Sequence, residues 1–142
     1  MSYMLDTNIF GWLIASKIKV EDLPKGDYFV THVQVEELAA AGDNETRAQL
    51  AIIQASLRPQ MVNTETAVAG ITRANVANSS DGALFEKLRT ALDALNKSRA
   101  NNTMDALIGE AGIVRGYALL TADKHLAQVV EQHGGKVQFF KP

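Results

Sequence analysis

Two rhythms of apolar residues alternate along this chain. Short apolar runs at residues 3–5, 28–31, 61–63, 117–120 and 136–140 are the length of buried strands. Between them, apolar positions recur at three- and four-residue intervals, the period of a helix with one buried face. These intervals predict helices over 9–15, 33–41, 44–57, 104–115 and 123–132. In a further helix Leu84, Phe85, Leu88, Ala91, Leu92 and Leu95 form the buried stripe. Punctuation supports these limits. Gly42 and Gly116 close helices, Asp43 or Asn44 caps one, and Pro59 stops it. Thr64 caps a helix after the third strand, residues 77–82 form the clearest loop, and Thr103 caps the helix over 104–115. Gly134 and Gly135 turn into the last strand.

Strands alternating with helices imply an α/β fold built on a parallel sheet, with helices on both faces. Five strands in 142 residues, with no linker, repeat or low-complexity segment, are read as a single domain over 1–142.

Composition narrows the chemistry. There is no cysteine, which excludes disulfides, thiolate metal sites and a cysteine nucleophile. No apolar run reaches the length of a membrane span, and the first residues lack the pattern of a secretory signal, so a cytoplasmic protein is expected. The net charge of −2, from 14 basic and 16 acidic residues, makes a protein that grips nucleic acid over its whole surface implausible. Any such ligand must meet a local basic patch, or metal ions that reverse the charge of an acidic site. Lys87, Arg89, Lys97 and Arg99 are the candidates for a patch, and a solvated helix face is the plainer reading of them.

Sites in open parallel sheets form beyond the carboxyl ends of the strands. Asp6 ends the first strand, and Asp123 follows the fourth by three residues. Glu36 and Glu37 lie in the first turns of the helix after the second strand. Asp105 lies in the first turn of the helix leading into the fourth. Taken singly, Asp6 and Asp123 also suit helix N-caps, Asp105 suits the positive end of its helix, and Glu36 and Glu37 suit a solvated pair. Taken together, acids from four segments share one rim, where they repel unless a cation or proton intervenes. Hard oxygen donors without Cys or a His cluster favour Mg²⁺ or Mn²⁺ over Zn²⁺. Such ions suit phosphodiester hydrolysis by an activated water. Thr7 and Asn8 beside Asp6, and Thr121 beside Asp123, are placed to orient a carboxylate or a bound water. His32, His125 and His133 lack a metal-binding spacing and read as surface or structural. Glu110, five residues after Asp105, falls on another helix face and reads as solvated.

On these residues the chain resembles the PIN-domain ribonucleases, which include toxins of the VapC type. Met4-Leu5-Asp6-Thr7-Asn8 is similar to the family's opening Asp-Thr-Asn. In its second motif a hydroxyl residue is followed six positions later by Glu-Leu, here Thr31 and Glu37-Leu38, which selects Glu37 over Glu36. Asp105-Ala106-Leu107-Ile108 is similar to the third motif, and Thr121-Ala122-Asp123 to the fourth. The resemblance implies a PIN-like three-layer α/β/α sandwich around a five-stranded parallel sheet. It also implies Mg²⁺ or Mn²⁺ dependence, cleavage of single-stranded RNA, homodimers and, in a toxin, an antitoxin partner. Asp6, Glu37 and Asp105 would be the core ligands, with Asp123 more variable. The chain departs from the toxin pattern in the length between Glu37 and Asp105, in Asn101 and Asn102 where an Arg is usual, and in Ala122.

Two other readings compete. One is a PIN fold without catalysis that binds RNA or protein. The other is a haloacid-dehalogenase-type phosphatase, which would need an acid at the position of Asn8.

Overall fold

A computed structural model describes residues 1–41, 43–66, 68, 82–96 and 99–140, with the side chains of residues 41, 99 and 100 excluded. Five strands form one parallel sheet: β1 (Ser2–Leu5), β2 (Asp27–Val30), β3 (Gln60–Met61), β4 (Ala118–Thr121) and β5 (Lys136–Phe139), in the order β3-β2-β1-β4-β5. The helices among the described residues are α1 (Thr7–Ile14), α2 (His32–Ala41), α3 (Asn44–Leu57), α4 (Ala83–Leu95), α5 (Arg99–Arg115) and α6 (Lys124–Gln132). The α/β class and the five-stranded parallel sheet are those the pattern predicts.

Strand alternation builds the layers. On β1, Tyr3 and Leu5 join Ile9, Phe10 and Leu13 of α1 and Leu50, Ile53 and Leu57 of α3 in one core. Met4, between them, turns to the opposite core with Phe85, Leu88 and Leu92 of α4, Leu107 of α5 and Val129 of α6. These two apolar cores lie on the two faces of the sheet.

The chain runs outward from β1 to β2 and β3, then crosses to β4 on the other side of β1. The carboxyl ends of β1 and β4 therefore flank the switch point where a crevice opens. Leu5 pairs with Leu120, so the residues following them, Asp6 and Thr121, emerge side by side.

Most predicted limits lie within a residue or two of the observed ones. Asp43 is the N-cap of α3, its Oδ1 accepting from Thr46 N at 2.8 Å, and Gly116 ends α5 in the left-handed region at φ +74°. The start of α5 is a correction: it begins at Arg99, so Asn101, Asn102 and Thr103 are helical and Thr103 is not its cap. Asn102 is 1% exposed there, and its Nδ2 donates to Asp93 Oδ1 at 2.9 Å and to Asn96 O at 3.3 Å. Those contacts with the end of α4 override the weak helix propensity of Asn. Thr64 is buried, and the helix expected beyond it lies largely outside the described residues, as do Gly42, residues 77–81 of the predicted loop and Lys97.

Candidate metal and phosphodiester site

Asp6 is held at both ends. Its backbone N–H continues the sheet by donating to Leu120 O at 3.0 Å, and its Oδ2 accepts from Thr121 Oγ1 at 2.7 Å. It stands at the N-cap position of α1 yet makes no side-chain cap, so the capping reading of Asp6 does not hold. Thr121, fully buried, also accepts from Asp123 N at 3.0 Å. One hydroxyl thus orients the Asp6 carboxylate and fixes the backbone of Asp123. Asp123 does cap α6, its Oδ1 accepting from His125 N at 2.9 Å and Leu126 N at 3.2 Å. Those bonds use one oxygen only.

Asp105 lies six residues after the start of α5, in the second turn, and so is not a first-turn acid. Asp6, Glu37, Asp105 and Asp123 line one cavity of about 350 Å³, whose lining does not include Glu36. Thr7 and Asn8 line it as well. Asn96, Asn101 and Asn102 complete the lining.

The acids act on one another. Burial raises the Asp6 carboxyl from 3.8 to about 6; the Thr121 hydrogen bond opposes this, and the charges of Asp123 and Glu37 add to it. Asp105 is raised from 3.8 to about 8, again first by burial and then by the charges of Asp6, Asp123 and Glu37. A carboxylate whose ionisation its neighbours disfavour is one that a divalent cation would stabilise. The donors are hard oxygens, which fit Mg²⁺ or Mn²⁺. Among the described residues no three His, Cys, Asp or Glu side chains stand close enough to hold an ion as they are placed. Occupation would therefore draw the carboxylates inward.

Several residues escaped the sequence reading. Gln34 is fully buried: its Oε1 accepts from Thr31 N at 2.9 Å, and its Nε2 donates to Leu5 O, also at 2.9 Å, bracing the peptide before Asp6. Nothing in local sequence marks that role. Sequence pattern places Asn101 and Asn102 ahead of the helix, although Asn101 precedes Asp105 by four residues, a same-face spacing, and nothing in it marks Asn96. Glu110 is a further correction. It is 1% exposed rather than solvated, and its Oε2 accepts from Phe85 N at 3.1 Å, capping the first turn of α4 from a neighbouring helix. The histidines are structural or surface residues: His32 is buried, His125 meets Asn96, and Nδ1 of His133 lies 2.7 Å from Val129 O. Arg89 is engaged by Glu86 at 2.7 Å and Asp93 at 3.3 Å, as expected of a solvated charged face. Lys87 is exposed.

No protein-family model and no curated protein matches the chain. Solved structures do. VapBC2 from Rickettsia felis, bound to a DNA fragment from its promoter, aligns at TM-score 0.64 and 19% identity over 99% of this chain and 100% of that one. A domain of a functionally unknown protein from Methanocaldococcus jannaschii aligns at 0.55 and 15%, covering 99% and 91%. VapBC-5 from Mycobacterium tuberculosis, of the VapBC family of toxin-antitoxin systems, aligns at 0.54 and 18%, covering 99% and 98%. At these identities the likeness establishes a shared fold over nearly the whole chain. No helix among the described residues is long and apolar enough to cross a membrane.

Proposed function

We propose that this protein is a divalent-metal-dependent endoribonuclease that hydrolyses phosphodiester bonds of single-stranded RNA. The observation that carries the reading is the cavity at the β1/β4 switch point, where acids from four separate segments meet and two have raised pKa values. Asp6, Glu37 and Asp105 would hold Mg²⁺ or Mn²⁺, with Asp123 lending its second oxygen. When bound, the ion supplies an activated water and neutralises charge on the phosphate oxygens. The chain itself orients the carboxylates, through Thr121 on Asp6 and Gln34 behind it, with Thr7 and Asn8 beside the ligands.

The fold shared with VapBC2 and VapBC-5 supports a toxin role within a toxin-antitoxin pair, with an antitoxin protein as partner, and the resemblance to PIN-domain proteins adds a homodimer as the working unit. Incubation of the protein with a mixed RNA pool in Mg²⁺, Mn²⁺ or EDTA tests the activity. Cleavage in either metal and none in EDTA is expected. Cleavage that persists in EDTA contradicts the reading, and metal binding without cleavage of any RNA favours a silent binding module.

A further inference from the structure

Besides the acids, Thr7 and Asn8, the cavity is lined by three further carboxamides, Asn96, Asn101 and Asn102, and by no Lys or Arg among the described residues; the side chains of Lys97 and Arg99 lie outside these. Two of the three are tied into the protein. Asn96 Oδ1 lies 2.5 Å from His125 Nδ1, and its Nδ2 donates to Asn102 Oδ1 at 3.4 Å. Asn102 in turn is committed to Asp93 and to the Asn96 carbonyl. The third, Asn101, is exposed, and its carboxamide makes no hydrogen bond to another described residue. It stands one helical turn before Asp105 on the same face of α5, with both side chains on the cavity.

The Asn101 carboxamide presents a neutral donor and acceptor side by side, which match the edge of a nucleobase, where Asn pairs bidentately. Bases of single-stranded RNA are splayed out and read on such edges. The spacing from Asp105 to Asn101, about 5–6 Å between Cβ atoms, spans the step from a metal-held phosphate towards its base. We propose that Asn101 is a specificity-determining residue that reads the base of the nucleotide whose phosphate is held at Asp105, while the fixed pair Asn96 and Asn102 shapes the wall. This rests on the RNA-cleavage reading of the same cavity.

The test uses the full chain in Ca²⁺, which hard oxygen donors bind, and short fluorescein-labelled single-stranded RNAs identical but for the central nucleotide. Fluorescence anisotropy should show one central nucleotide preferred by about tenfold, the scale of one good bidentate pair. Asn101→Ala should level that preference to within about twofold, and Asn101→Asp, which keeps the shape but loses the donor, should change its order. Sequencing of cut ends from unlabelled RNA in Mn²⁺ should shift the same way. A parent without preference, or an Asn101→Ala variant that keeps the parent's order, overturns the inference. If the parent cuts RNA and Asn101→Ala cuts at the same nucleotides, the base-reading role falls while the nuclease reading stands. Asn101-dependent preference in a protein that cuts nothing retains the subsite and sinks the nuclease reading.

Discussion

Asp6 and Asp105 carry ionisations that their surroundings oppose, so their removal separates catalysis from stability. Asp6→Asn keeps an acceptor for the Thr121 hydroxyl, and both Asn variants remove a carboxyl whose ionisation the site opposes. Each should abolish RNA cleavage while the melting temperature in EDTA stays the same or rises. A variant that cuts as fast as the parent at saturating Mn²⁺ removes that residue from the ligand set. Glu37→Gln should be severe and Glu36→Gln mild, measured as cleavage rate, since only Glu37 lines the cavity. The reverse order would mean that the α2 register has another meaning. Thr121→Val deletes the bond that favours the charged form of Asp6, and should weaken Mn²⁺ binding in calorimetry with the fold retained.

At the scale of elements, local pattern and tertiary contact divide the account between them. The strands, the stripe Phe85-Leu88-Leu92 and the Asp43 cap were legible because each depends on neighbours in sequence. So were the positions of Asp6 and Asp123, since strand ends define where a parallel sheet opens. The start of α5 and the state of Glu110 were not, because both depend on how α4 packs against α5, a tertiary contact that periodicity does not report. Asn102 clasps the last turn of α4, and Glu110 caps its first. Periodicity reports which face is buried but not which polar group the neighbouring element will satisfy. The Gln34 brace was hidden for the same reason, its partner lying 29 residues away. Glu110→Ala should therefore cost about 2 kcal/mol in urea unfolding, through the lost cap and the space left behind. Glu110→Gln, which retains an acceptor, should cost less. Equal and negligible losses would show that α4 does not depend on this contact.

For the molecule as a whole, the raised carboxyls tie stability to pH. The ordinary carboxyl value is 3.8, and the folded values are about 6 for Asp6 and about 8 for Asp105. Between about pH 4 and pH 8 the folded protein thus binds more protons than the unfolded chain. Their contribution to stability is fully present below that window and is lost as pH rises through it. In EDTA the melting temperature should fall by several degrees from about pH 5 to about pH 8.5, each kcal/mol being about 3–4 °C at this size. Asp105→Asn should flatten the fall, and Mn²⁺ should oppose it by binding the ionised form. A metal-free protein whose stability rises across that range would contradict the electrostatics of the cavity. Anomalous diffraction from a manganese-soaked crystal would show whether α2, α5 and the ends of β1 and β4 assemble one ion-binding pocket. A manganese peak is expected between Asp6 and Asp105, with oxygens drawn to about 2.0–2.2 Å, a bond length typical of hard divalent ions. A map with manganese elsewhere, or with none in this cavity, would contradict it.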